Sequence, residues 1–171
     1  MLIRRAVMDD APAIARVQVD TWRTAYAGIM PDSVLDGMQY KTRAAQWHQN
    51  MSSERTFHEV ALFNEEIVGF AASGPERDQV DRYDCEIYAL YVLQEHQGKG
   101  IGKALVQSAM KELKDRGFKT MLIWVLEANH SARAFYERMG GVQIENTLIL
   151  RVGGTELTEI AYGYSLSDLV P

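Results

Sequence analysis

The stretch Gln97-Gly98-Lys99-Gly100-Ile101-Gly102-Lys103 indicates both the fold and the kind of ligand. It follows an apolar run of strand type over 85–93 and precedes a helical pattern over 104–113. Three glycines permit a left-handed backbone and close approach of a ligand, so successive N–H groups and the positive end of the helix dipole can face one anion. The sequence therefore predicts a pyrophosphate-binding turn between a strand and a helix.

Two common glycine loops fit this turn poorly. A Walker loop requires a glycine five residues before its Gly-Lys pair and a hydroxyl residue after it, but Gln97 and Ala104 stand at those places. A dinucleotide fingerprint requires a glycine where Lys103 stands, and it normally follows the first strand of the chain. Nucleoside triphosphate hydrolysis and nicotinamide binding are therefore not expected.

A second motif lies about thirty residues further along the chain. In Glu127-Ala-Asn-His-Ser-Ala-Arg-Ala-Phe-Tyr-Glu-Arg-Met-Gly140, Asn129 ends a predicted strand and Tyr136 follows seven residues later in a predicted helix. Together with the Gln-x-x-Gly-x-Gly pattern of the first motif, this resembles the GNAT acyltransferases, which transfer an acetyl group from acetyl-CoA to an amine. The resemblance covers roughly residues 60–150 well and the flanks in outline.

The predicted fold is an α/β domain spanning 1–171. Periodicity alone allows α/β or α+β. The resemblance implies a mixed, mostly antiparallel central sheet with one parallel strand pair and helices on both faces. The predicted strands cover 2–6, 57–63, 66–73, 85–93, 119–126, 142–152 and 156–166, and the predicted helices begin near Asp9 or Asp10, at Asp32 with an end near Met51, at the glycine turn, and at Ser131.

Composition limits the function further. The chain has 171 residues, 47% of them hydrophobic, a net charge of −5 and a single cysteine, Cys85, which is expected to be buried and inert. These values favour one soluble cytoplasmic domain without a disulfide framework, and they argue against nucleic acid or a membrane as the main partner. The four histidines show no ligand spacing, so no metal is expected.

Two residues are candidates for acid–base catalysis. An amine attacks a thioester only as the free base, so a carboxylate that accepts its proton helps, and Glu86 is the candidate. The resemblance implies that the Tyr136 hydroxyl acts as the general acid for the CoA thiolate. Alternatively, Glu86 is merely an exposed strand residue, and Tyr136 is a core residue whose hydroxyl has found a partner.

The resemblance also implies the residues that bind acetyl-CoA, the co-substrate. They are Leu90, Tyr91 and Val92 for the pantetheine arm and acetyl carbonyl, Gln97, Gly98, Lys99, Gly100, Ile101, Gly102 and Lys103 for the pyrophosphate, and Asn129 for the pantetheine. Backbone amides should matter more than the two lysine side chains, which are often simply solvated in exposed loops. Asn129 can equally cap the helix that follows it.

The acceptor side is less well defined. Trp22, Tyr26 and Asp84 are the candidate substrate contacts, and the segment 76–86 carries five acids against two arginines, which favours a cationic small amine. The same acids can equally form a solvated surface, with the aromatic residues in the core. Two other hypotheses are a transferase for a protein N-terminus or lysine, and a non-catalytic acyl-CoA sensor. The resemblance also implies that a homodimer can form.

Overall fold

The computed structural model describes residues 1–167. The strands are β1 Leu2–Arg5, β2 Phe57–Phe63, β3 Glu66–Pro75, β4 Cys85–Val92, β5 Thr120–Leu126, β6 Val142–Val152 and β7 Thr155–Ser165. The helices are α1 Ala11–Ala25, α2 Asp32–Asp36, α3 Tyr40–Met51, α4 Ile101–Asp115 and α5 His130–Arg138. All seven strands form one sheet in the order β1-β2-β3-β4-β5-β7-β6.

The sheet confirms the predicted mixed topology. Strands β4 and β5 run parallel and are joined through α4, whereas the other neighbouring strands in the described part of the chain are antiparallel. Both predicted hairpins form, and their tight turns at Asn64-Glu65 and Gly153-Gly154 have positive φ at each residue, as a type I′ turn requires. Strand β7 lies between β5 and β6, so it is β7 that pairs with β5 on the side away from β4.

Helices cover both faces of this sheet. On β7, the Tyr164 hydroxyl donates to the backbone oxygen of Tyr136 in α5. Leu157 of the same strand packs in a second cluster with Leu35 of α2 and Leu126. Positions 157 and 164 differ by an odd number, and successive side chains of a strand point to opposite faces. Helices α5 and α2 therefore lie on opposite faces of the sheet.

The N-terminal helices differ from the prediction in two respects. The single helix expected from Asp32 to about Met51 is wrong, because the chain forms α2 and α3 with a break between them. Arg23 of α1 donates to the carbonyl oxygens of Leu35 and Met38 at that break, which compensates for the helical bonds they lack. Asp10 precedes α1 as predicted, but its carboxylate accepts hydrogen bonds from Arg4 and from the Val7 N–H instead of capping the helix.

Strands β4 and β5 separate part of the way along their length. Their parallel pairing covers only 85–87 and 121–123. On its other side β4 pairs with β3, but the register shifts between Ile87 and Ala89, so Tyr88 is an extra residue that forms a bulge. A bulge bends its strand, and the gap beyond Ile87 is the cleft described next. In the described residues, no helix is long and apolar enough to cross a membrane.

Candidate active site

The gap between β4 and β5 opens into a cleft of about 1360 Å³. Its lining comes from β4 and β5, from the first turn of α4 and from α5, and from residues of α1, β6 and β7. Beyond Ile87 the edge of β4 that faces β5 has lost its strand partner. Its backbone groups are therefore available to a ligand that enters between the strands.

The predicted anion-binding turn forms the basic end of this cleft. Gly98 and Gly100 have φ of +72° and +80°, and a Cβ atom added to either would meet no atom within 4 Å. Helix α4 begins at Ile101, so its first N–H groups have no intrahelical acceptor and face the turn. Lys103 and Arg138 line the same cleft. This open, positively polarised cradle fits the pyrophosphate of acetyl-CoA.

Tyr136 lies where α5 meets the cleft. Its ring is 7% exposed and stands 5.3 Å from the ring of Phe135, which in turn packs against Gly102 of α4, where a Cβ atom would lie 3.4 Å from the Phe135 ring. In the described part of the chain the Tyr136 hydroxyl has no hydrogen-bond partner. Burial, and secondarily the nearby Tyr91 and Tyr164, raise the pKa of Tyr136, so its hydroxyl stays protonated and can donate.

Glu86 lies near the opposite end of the cleft and is not an exposed strand residue. Its side chain is 1% exposed, and both of its oxygens accept from Arg77, at 2.6 Å from Nη2 and 3.2 Å from Nε. The Arg77 guanidinium also stacks 4.0 Å above the Tyr88 ring. Burial raises the pKa of Glu86, and the ion pair with Arg77 offsets part of that rise.

Glu159 is a second carboxylate of the cleft, which the sequence pattern did not predict. It lies on β7 beside Leu126 of β5, is half-buried, and lines the cleft. Burial raises the pKa of Glu159, and the negative charges of Glu86 and Asp78 raise it further. In sequence Glu159 resembles any polar strand residue, and only the insertion of β7 beside β5 brings it to the site.

The acidic segment before β4 adds two more carboxylates. Glu76, Asp78 and Glu86 have oxygens that lie within 4.8 Å of one another, the one such gathering of potential metal ligands in residues 1–167. Glu76 accepts hydrogen bonds from the N–H groups of Asp78 and Val80, which shapes the loop. The cleft therefore has a basic part at the glycine turn, beside α5, and the carboxylates of Glu86 and Glu159 on the face of the sheet opposite α5.

Comparison with known proteins agrees with this arrangement. The model of the Acetyltransferase (GNAT) family matches residues 19–141. The chain belongs to the GNAT acetyltransferase family. An uncharacterized N-acetyltransferase of Bacillus subtilis, YuaI, is 33% identical over 95% of this chain and 91% of its own length. GNAT membership makes the protein an acetyl-CoA-dependent N-acetyltransferase.

One solved structure and one further relative are also similar to this chain. The structure of yncA, a putative acetyltransferase from Salmonella typhimurium with acetyl-CoA, has a TM-score of 0.73 and 22% identity over 100% of this chain and 96% of that chain. A ribosomal-protein alanine N-acetyltransferase of Haemophilus influenzae is 31% identical over 57% of this chain and 62% of its own length. The fold of this chain is therefore that of a solved acetyltransferase structure.

The further residues that the GNAT resemblance assigned to acetyl-CoA differ in their position relative to the cleft. Leu90, Tyr91 and Val92 line the cleft, although the Val92 carbonyl already accepts from the Gln97 side chain at 2.9 Å. This bond fixes the end of β4 to the glycine turn. The Lys99 ammonium group lies 5.4 Å from the centroid of the Phe63 ring.

Asn129 combines two roles in this GNAT site. Its side-chain oxygen accepts from the Ala132 N–H at 3.2 Å, so it caps α5, and it also lines the cleft. Capping fixes the start of the helix that carries Tyr136.

The predicted acceptor contacts also differ in position. Tyr26, at the end of α1, lines the cleft, whereas Trp22 packs behind it with the two ring centroids 5.2 Å apart. Asp84 does not reach the cleft lining. Its carboxylate accepts from the N–H groups of Lys119 and Thr120 at 2.9 and 3.0 Å, which holds the start of β5 against the end of the 76–84 loop.

Asp84→Ala is therefore expected to affect stability rather than acceptor binding. The change leaves two backbone donors without their acceptor, at a cost of about 1 kcal/mol because the site is exposed. We expect urea denaturation to show a lower unfolding midpoint and steady-state kinetics to show an unchanged acceptor KM. A raised acceptor KM at unchanged stability would instead place Asp84 at the substrate.

Proposed function

We propose that the protein acetylates a primary amine of a small molecule by direct attack on the acetyl group. When bound, acetyl-CoA supplies a thioester whose carbonyl carbon an amine can attack. The observation that carries the proposal is the polarity of one continuous cleft, with an anion cradle beside α5 and the carboxylates Glu86 and Glu159 on the opposite face of the sheet. Such a cleft attracts a cationic acceptor to the face of the sheet that carries these carboxylates.

The residues of the cleft divide the proton transfers between them. Glu86 accepts the proton of the acceptor ammonium. The proton passes through water, because the Glu86 side chain is nearly fully buried and is held in place by Arg77. As the new C–N bond forms and the C–S bond breaks, the Tyr136 hydroxyl donates its proton to the departing sulfur. The open edge of β4 at Leu90, Tyr91 and Val92 positions the acyl end, and the glycine turn with Asn129 holds the rest of the co-substrate.

A peptide acceptor is the second candidate, because the Haemophilus influenzae relative is named as a ribosomal-protein alanine N-acetyltransferase. The two candidates separate in an assay of free CoA thiol released from acetyl-CoA. The acceptors are polyamines, aminoglycosides, amino acids and short peptides with a free N-terminal alanine. Turnover with small amines alone supports the proposal, turnover with peptides alone replaces it, and tight acetyl-CoA binding without any turnover favours a sensor.

The role of Glu86 predicts a pH dependence of kcat. Only the ionised carboxylate accepts a proton, so kcat at saturating substrates should fall as the pH drops through the pKa of Glu86, which burial holds above its ordinary value of 4.5. Arg77→Gln removes the charge that lowers this pKa and should move the fall in kcat to higher pH. Glu86→Gln should remove the fall altogether, and a Glu86→Gln profile that matches wild type would exclude Glu86 as the base.

A further inference from the structure

We propose that Glu159 binds a second positively charged group of the acceptor, so that the site selects small diamines over monoamines of the same length. The inference rests on the proposed amine acetylation and adds a substrate class to it. Three observations carry it: the free state of the Glu159 carboxylate, its position on the same face as Glu86, and the apolar surface that separates the two.

Glu159 is a half-buried carboxylate of the cleft whose charge is left for a ligand, whereas Asp78, which also lines the cleft, is exposed to solvent. Glu86 already has a bidentate partner in Arg77. Across residues 1–167, by contrast, the Glu159 side chain has neither a hydrogen bond nor an ion pair. Desolvating an anion without a partner is costly, so a half-buried carboxylate of this kind stabilises a cation that enters beside it.

Strand register places both carboxylates on one face of the sheet. Glu86 pairs with Leu122 of β5, and Glu159 pairs with Leu126 of the same strand. Residues 122 and 126 are separated by an even number of positions, so their side chains share a face. The pair Glu86–Leu122 and the pair Glu159–Leu126 lie about 13 Å apart along β5. The distance between the carboxylate groups is short enough for Glu86 to raise the pKa of Glu159.

An apolar surface lies between these two residue pairs. Trp124 stands midway on the same face of β5, and Leu126 and Leu148 line the cleft beside Glu159. The indole nitrogen of Trp124 is buried and has no hydrogen-bond partner in the described residues. An alkyl chain with an ammonium group at each end matches a surface that is acidic at both ends and aromatic in the middle.

The loop before β4 helps to make the net charge of the cleft negative around Glu86 and Glu159. Among the described residues that line the cleft, Lys103 and Arg138 lie at the cradle, and Arg77 is the cation that accompanies the three carboxylates of Asp78, Glu86 and Glu159. A second ammonium group on the acceptor would therefore gain attraction without displacing Arg77 from Glu86. Tyr26, which follows α1, lines the same part of the cleft. Burial raises the pKa of Tyr26, and the charge of Glu159 contributes a small part of that rise.

The test compares the five-carbon diamine cadaverine with the five-carbon monoamine pentylamine. Wild-type protein should show a kcat/KM at least about tenfold higher for cadaverine, the size of one charged hydrogen bond. Glu159→Gln should remove that preference by raising KM for cadaverine at least about tenfold more than KM for pentylamine, with acetyl-CoA KM unchanged. Because the variant loses an unpaired, half-buried charge, it is expected to fold at least as well as wild type.

Glu156→Gln is the matched control. Glu156 lies on the same strand, but its side chain is 60% exposed and pairs with Arg151 outside the cleft. This variant should keep the full preference for cadaverine. Titration calorimetry of both amines into protein saturated with CoA supplies a readout that does not depend on turnover.

The outcomes separate the inference from the proposed function. Tighter binding of cadaverine to wild type but not to Glu159→Gln, without acetylation of either amine, would support this inference and overturn the proposed function. Acetylation of both amines at equal kcat/KM by wild-type protein would overturn the inference alone. A preference retained by Glu159→Gln, or an equal loss of kcat for both amines in that variant, would overturn it as well.

Discussion

Tyr136→Phe is expected to lower kcat by about 10²- to 10⁴-fold while the affinity for acetyl-CoA stays nearly unchanged. The Tyr136 hydroxyl lines the cleft, is held protonated by burial, and has no hydrogen-bond partner in the described chain. Its removal therefore costs little stability, and the ring that packs against Phe135 remains in place. Steady-state kinetics with the best acceptor, together with calorimetric titration of acetyl-CoA, measures both quantities.

Tyr164→Phe is the control for this variant. Tyr164 is similarly buried, at 8% exposure, and its hydroxyl donates to the Tyr136 backbone oxygen at 3.0 Å, away from the cleft lining. Losing that bond should lower the free energy of unfolding by about 1 kcal/mol without a hundredfold loss of kcat. Wild-type turnover by Tyr136→Phe would show that another group protonates the sulfur.

Gly100→Asp is expected to weaken acetyl-CoA binding by at least about 100-fold. The residue has φ of +80° at the start of α4, so a side chain adds backbone strain of about 1–2 kcal/mol. The carboxylate also brings a negative charge to the cradle, and two like charges about 4 Å apart near a protein surface repel by about 4 kcal/mol. Calorimetric titration with acetyl-CoA and with CoA measures the loss.

Gly154→Asp separates strain from charge. Gly154, in the turn between β6 and β7, has φ of +82°, and a Cβ atom there would also meet nothing within 4 Å, as at Gly100. The control should therefore bear a similar backbone cost and bind acetyl-CoA as wild type does. Unchanged affinity in Gly100→Asp would mean that the glycine turn does not hold the pyrophosphate.

Local signals predicted most of the elements of this fold. The Gly153-Gly154 turn specified its hairpin because glycine tolerates positive φ at both positions, whereas in Asn64-Glu65 only Asn64 is of a type that favours positive φ. The glycine turn before α4 fixed the start of that helix within a few residues. Asn129 was predicted as either a cap or a ligand contact, and its side chain caps α5 at the edge of the cleft.

Features that depend on long-range packing could not be predicted in the same way. The end of α2 depends on Arg23, which lies more than ten residues away on α1. The environment of Glu86 depends on Arg77, which reaches back from the preceding loop across the Tyr88 ring. Glu159 joins the cleft only because β7 pairs with β5, and no periodicity of the strand itself encodes that neighbour.

Transfer of a deuterated acetyl group is the most direct test of the central claim. Protein is incubated with acetyl-CoA labelled in the acetyl group and with the amine that releases most thiol, and the products are analysed by mass spectrometry. We expect the label on a nitrogen of the amine in amounts equal to the CoA released, and Tyr136→Phe should slow both together. CoA release with the label recovered as acetate, or without dependence on any amine, would contradict it.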